Sequence, residues 1–82
     1  MLIDNRTVGE TIRRLRKEKG LSQEVLSGLA GIARTHLTMI ESGTKQANFS
    51  TICKIANALD MKPSELVRKM EEMQEKNQKR ED

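Results

Sequence analysis

The sequence predicts an all-α domain of five short helices, and three observations carry that expectation. The chain has 82 residues, enough for one small hydrophobic core and one domain. Phe49 is its only aromatic residue, so the core must be assembled from Leu, Ile, Val, Met and Ala, which suit packed helices better than sheets. Apolar residues recur at helical spacing in five segments, each bounded by residues that start or stop helices.

Thr7 followed by Glu10 matches a capping box, after which Val8, Ile12 and Leu15 share one side, and Gly20 stands where a left-handed cap would end helix one. Ser22 is the expected cap of helix two, with Val25, Leu26, Leu29 and Ala30 as its inward side and Gly31 as the turn that follows. Helix three takes Leu37 and Ile40 inward and stops at Gly43. Asn48 is the expected cap of helix four, which carries Phe49, Ile52, Cys53, Ile55, Ala56 and Leu59. Pro63 suits the first turn of helix five, which continues through Leu66, Val67, Met70 and Met73 before dissolving into QEKNQKRED.

The net charge of +3 lies entirely in residues 1–48, which hold eight basic and five acidic side chains; the remainder holds seven of each. That imbalance fits a nucleic-acid partner and solvated surface charge about equally. A single cysteine forms no internal disulfide, and one Cys with one His cannot supply a four-ligand zinc site, so neither a metal nor a cofactor is expected. With no run long enough to span a membrane and no secretion-signal pattern in MLIDNRTVGE, the expected setting is the cytoplasm.

The segment GLAGIARTHLTMIESG decides more. At about 100° per residue, the direction between Leu37 and Ile40 marks the core side of helix three. Thr35 and Ser42 then point outward, Thr38 and Met39 lie on the outer face, and Arg34 sits at the rim of the first turn. Helix stability does not select such residues, since threonine is a poor helix former and offers no ion pairing. A short helix preceded by another across a glycine turn, with hydrogen-bonding side chains on its exposed N-terminal half, fits the major groove of double-stranded DNA. Arg34, Thr35, Thr38 and Met39 are the candidates for base edges, and Ser22, Gln23, Ser42, Thr44 and Lys45 flank them as candidates for phosphate.

The runs LSQEVLSGLAGIARTHLTMIESG and TICKIANALDMKPSEL resemble the lambda-repressor-like (Cro and XRE type) helix-turn-helix family, over roughly Ile12 to Val67. The resemblance implies a compact five-helix lambda-repressor-like DNA-binding domain over residues 1–67, with residues 68–82 as an extension of the last helix and a charged, frayed tail. It implies that Gln23 clamps a phosphate and buttresses helix three, and that Thr44 and Lys45 hold the DNA backbone. Glu41 near the end of helix three opposes the helix dipole and needs a cation, and the resemblance implies Arg16 as its partner in a structural ion pair. Three positions depart from the family pattern: Ala33 stands where a Ser or Thr cap is usual, Ala47 and Asn48 where Pro and Ser are usual, and Asp60 where Gly is usual. Asn48 still caps and Asp60 tolerates the left-handed region; Ala33 forgoes about 1 kcal/mol of cap.

His36, on the flank of helix three, is expected to pack or to meet a phosphate rather than to switch with pH or bind metal, because no second ligand is in view. Cys53 is expected as a small buried hydrophobe. The run RRLRKEK admits both a solvated face and a phosphate track, which makes Arg13 and Arg14 second-tier phosphate candidates. The apolar stripe of Leu66, Met70 and Met73 runs past what the family core requires and is expected to serve a homodimer interface, since one recognition helix reads too few bases alone. No nucleophile with a base and no pocketed carboxylate pair is evident, so an enzyme is not expected, nor is a small-molecule effector. The resemblance implies a transcriptional regulator binding a palindromic operator, in the style of phage repressors or restriction-modification controllers. The alternative is an antitoxin-like interaction module whose DNA binding is autoregulatory.

Overall fold

The computed structural model describes residues 1–81, and its element order is α1 (Asn5–Glu18), α2 (Gln23–Ala30), α3 (Arg34–Glu41), α4 (Phe49–Ala58) and α5 (Pro63–Glu81). Local sequence accounts for most of these boundaries. Ser22 Oγ accepts from the Val25 amide at 3.1 Å, and Asn48 Oδ1 accepts from the Thr51 amide at 2.8 Å, each satisfying a first-turn donor that the helix cannot. Gly20, Gly31 and Asp60 take φ values of 70°, 70° and 60°, so the first, second and fourth helices all end in left-handed residues that turn the chain back on itself. Pro63 opens α5, and the Glu65 carboxylate reaches back to the Lys62 amide at 3.0 Å.

Helix one begins earlier than its capping-box signature predicts. Asp4 is the cap, its Oδ1 accepting from the Thr7 amide at 2.7 Å. Thr7 lies inside the helix and is buried, with its hydroxyl oxygen accepting from Asn77 Nδ2 at 3.1 Å. A partner 70 positions away therefore claims the side chain that the local pattern reserved for capping.

The core is aliphatic: Ile12, Leu26, Leu37, Ile40, Ile55, Leu59 and Leu66 are fully buried. Three expectations for it are corrected. Val25 and Leu29 on α2 are exposed, Leu29 at 61%, because only the Leu26 and Ala30 side of that short helix meets α3 and α4. Phe49 is 72% exposed at the first turn of α4, and Cys53, one turn on, is half-buried rather than buried. Leu66, Met70 and Met73 do not form a spare apolar face: all three are buried within the protomer, Met73 at 7% exposure, and cannot serve as a dimer interface without unpacking the core.

Helix five does not dissolve after Met73, as the tail composition predicts, but continues to Glu81 along α1. Polar contacts hold it there. Gln74 Oε1 accepts from the Asp4 amide at 3.1 Å, and Asn77 Nδ2 donates to Glu10 at 3.1 Å as well as to Thr7. Asp82, the last residue of the expected frayed tail, lies outside the described residues.

Helix one crosses α3 at a close approach that depends on Gly9. A Cβ built there would stand 2.2 Å from the Ile40 carbonyl oxygen and 2.5 Å from that of Glu41, so α1 backbone lies directly against the end of α3. Any side chain would force the two helices apart.

Two outcomes follow for stability. Gly9→Ala should destabilise the protein by at least the ~1–3 kcal/mol typical of overpacking, since the obstacle is backbone and not a movable side chain; denaturant melts check this, and a neutral result would show that the two helices separate freely. Asp4 tests the first cap. Its carboxyl is held below its ordinary value of 3.8, chiefly by the hydrogen bond from the Thr7 backbone amide. A lowered folded value means stabilisation that is present above pH ~4 and is lost as the pH falls through the folded value. Asp4→Asn, which keeps a capping oxygen, should therefore match the wild type within a few tenths of a kcal/mol at pH 7 and lose less stability between pH 5 and pH 2; Asp4→Ala should lose ~1 kcal/mol at pH 7.

Candidate nucleic-acid interface

Helices two and three form the candidate interface, and the short link between them sets its geometry. At the end of α2, Gly31 turns with left-handed φ while the Ile32 amide donates back to the Ser27 carbonyl at 3.0 Å. Ala33 then stands at the cap of α3 with extended backbone and no side-chain hydrogen bond, so the first turn of α3 keeps its amides free of a side-chain cap. Leu37 and Ile40 seat the helix on the core. The opposite face presents Arg34, Thr35, Thr38 and Met39, all exposed, Met39 at 44%. The four candidates for base contact thus share one surface.

A buried charge pair fixes the end of that helix. Arg16 Nε donates to Glu41 Oε2 at 2.7 Å and Arg16 Nη2 to Glu41 Oε1 at 3.0 Å, a two-pronged contact matched to the carboxylate plane. These hydrogen bonds raise the pKa of Arg16 above its ordinary value, against the opposing effect of burial. Arg16 Nη1 also donates to the Leu21 carbonyl at 2.8 Å, which ties in the turn before α2. Gln23 Nε2 completes the cluster, donating to Glu41 Oε1 at 2.9 Å, while Gln23 Oε1 accepts from the Thr38 hydroxyl at 3.0 Å. Gln23 is thereby half-buried and bridges α2 to α3, with one of its two amide protons uncommitted.

The remaining candidates divide by position. Arg13 lines a shallow hollow with Gln23, Thr38 and Ser42, directly above the buried pair. Arg14 is exposed; it lines a groove between α1 and α5 with Lys69, Glu72 and Lys76, and a second hollow along α1 together with Arg13 and Lys17. Ser22 is exposed at the start of α2, and His36 is half-buried on the flank of α3. Ser42 and Thr44 are exposed, but their hydroxyls are engaged in ending the helix. Both donate to the Met39 carbonyl, at 3.0 and 3.2 Å, and they lie 2.9 Å from each other. The amides of Thr44 and Lys45 converge on the same carbonyl, at 3.0 and 3.3 Å, which leaves the Lys45 side chain exposed beyond the helix end.

Sequence reasoning missed Gly9 as a determinant of this surface, although an isolated glycine inside a helical pattern is a signal of close backbone approach. The buttressing of α3 by Gln23 that the family resemblance implies takes the form of its hydrogen bonds to Glu41 and Thr38, though no local pattern names those two partners. Among the described residues no group of His, Cys, Asp and Glu is placed to hold a metal ion, and no helix is long and apolar enough to cross a membrane.

Comparison with known proteins agrees with this architecture. Residues 12–66 match the helix-turn-helix family model. The chain is 37% identical over 60 residues to the uncharacterized HTH-type transcriptional regulator y4dJ of Sinorhizobium fredii, covering 73% of this chain and 78% of that protein. It is 35% identical over 60 residues to the control protein C.BamHI of Bacillus amyloliquefaciens, covering 72% and 74%. Among solved structures, the restriction-modification controller protein C.AhdI of Aeromonas hydrophila superposes with a TM-score of 0.73 at 40% identity, over 76% of this chain and 94% of that one. The matched segment begins at Ile12 and ends at Leu66, and so contains the α2–turn–α3 unit whole, together with Arg16 and Glu41. The chain belongs to the helix-turn-helix family.

Proposed function

We propose that the protein is a sequence-specific DNA-binding transcriptional regulator, acting as a homodimer on a palindromic operator with α3 in the major groove of each half-site. The observation that carries this reading is the exposed face of α3: Arg34, Thr35, Thr38 and Met39 stand together on a helix whose other side is held by Leu37 and Ile40. Arginine can bond guanine through two parallel donors, and threonine and methionine carry methyl groups that meet a thymine methyl. Lys45, Ser22, the free proton of Gln23 and Arg13 surround that face with donors for phosphate. The related proteins named as transcriptional regulators and control proteins support the same reading.

The dimer requires a surface other than the buried stripe of α5. Phe49 supplies one. It projects from the first turn of α4 beside a hollow lined by Ile3, Val8, Ile52 and Val67, so a two-fold arrangement lets each protomer's Phe49 enter the other's hollow. Half-sites then lie about one helical turn apart, roughly 34 Å, or a multiple of it.

Arg34→Ala should cost about 1–3 kcal/mol on a cognate operator and relax preference at one base position per half-site, whereas Lys45→Ala should weaken cognate and random duplex nearly alike and lower the salt slope by about one per lost contact. Titrations of both variants on operator and scrambled DNA at several salt concentrations separate the two; equal loss on both duplexes for Arg34→Ala, with base preference intact, would make that arginine a phosphate contact. For assembly, Phe49→Lys should convert dimers to monomers in sedimentation without loss of helical signal, and an unchanged dimer would place the interface elsewhere.

A further inference from the structure

The hydrogen bonds beneath the exposed face of α3 converge on the Glu41 carboxylate, and this fixes what Thr38 can offer a ligand. Glu41 accepts three hydrogen bonds, two of them from Arg16 and one from Gln23 Nε2. A carboxylate gripped by a guanidinium has acceptors alone to present, so Gln23 must turn its amino end towards Glu41 and its oxygen away. That oxygen lies 3.0 Å from Thr38 Oγ1. An amide oxygen cannot donate, and the other neighbour of Thr38 Oγ1, the Arg34 carbonyl at 3.0 Å, cannot either. Both internal partners therefore compete for the one proton of the Thr38 hydroxyl, which stays within the protein. Thr38 is exposed, and what it shows to solvent is an oxygen lone pair and a methyl group.

We propose that Thr38 is a specificity-determining residue that acts as an acceptor only, taking a hydrogen bond from an exocyclic amino group in the major groove, adenine N6 or cytosine N4, and making no bond to the N7 or O6 acceptors of a purine. Threonine in general pairs with either kind of group. Here the buried Arg16, two side chains away, removes the choice. This inference rests on the reading of α3 as the DNA-facing helix.

The test begins with a duplex selected from a randomised library by the full-length protein. Atoms are then deleted from it one at a time: purine for adenine and 2-pyrimidinone for cytosine remove the amino groups, and 7-deaza purines remove N7. Each duplex is titrated with the wild type and with Thr38→Val, which keeps the shape and the methyl group but lacks the oxygen. At one position per half-site, loss of the amino group should weaken the wild type about 5- to 15-fold, the worth of one hydrogen bond, and leave Thr38→Val unaffected. Coupling of Thr38→Val to N7 deletion, or to no deletion at all, would overturn the proposal. Failure of the underlying reading looks different: the library yields no enriched sequence, or Arg34→Ala and Thr38→Val both bind DNA with the selected preference unchanged.

Discussion

The Arg16–Glu41 pair joins three helices through one buried guanidinium and one buried carboxylate. Burying two charges is costly, and the cost is offset only when every donor and acceptor is matched. Here the matching groups come from different elements: Arg16 from α1, the Leu21 carbonyl from the turn, Gln23 from α2 and Glu41 from α3. Satisfying the pair therefore sets the angle and register of α2 against α3, which is the geometry a major-groove reader must hold constant. A packed aliphatic contact would supply comparable stability with less directional control, since dispersion is nearly isotropic and hydrogen bonds are not.

Gly9 is the steric counterpart of that pair. With α1 backbone against the last carbonyls of α3, Arg16 can reach Glu41 with its planar group squarely across the carboxylate. The same closeness places Gly43, at φ 79°, against Arg6, so the chain leaves α3 along a path that only a left-handed residue with little bulk follows. The chain exit is then held where the amides of Thr44 and Lys45 and the hydroxyls of Ser42 and Thr44 converge on, and share, the Met39 carbonyl. Ser42 and Thr44, short hydroxyl residues just past α3, thus serve the helix terminus itself.

A protein with so few large side chains must use its aliphatic ones inside. Helix five illustrates this: Leu66, Met70 and Met73 complete the core beneath α1, and Gln74 and Asn77 extend the contact by hydrogen bonds where apolar residues run out. The apolar surface left over sits on α2 and at the start of α4, in Val25, Leu29 and Phe49. Phe49 is the largest side chain in the sequence and contributes little to its own core. Phe49 forms part of the wall of a hollow that Ile3, Val8, Ile52 and Val67 line together with Asn5 and Gln46.

By itself the sequence determined the five helices, the caps at Ser22 and Asn48, the left-handed turns at Gly20 and Gly31, the inward pair Leu37 and Ile40 and the polar outer face of α3. All of these rest on interactions within about four residues, where spacing translates directly into geometry. The family resemblance added the partner of Glu41, which no local pattern names. Only the tertiary structure decided that Asp4 and not Thr7 caps α1, because Asn77 takes the threonine. It decided that Met70 and Met73 lie inside while Phe49 and Leu29 lie outside, because an apolar stripe marks a face to be covered without naming which element covers it. It decided, finally, the direction of the hydrogen bonds from Arg16 to Thr38, since donor and acceptor order is fixed by groups 15 to 25 residues apart that meet only in the folded chain.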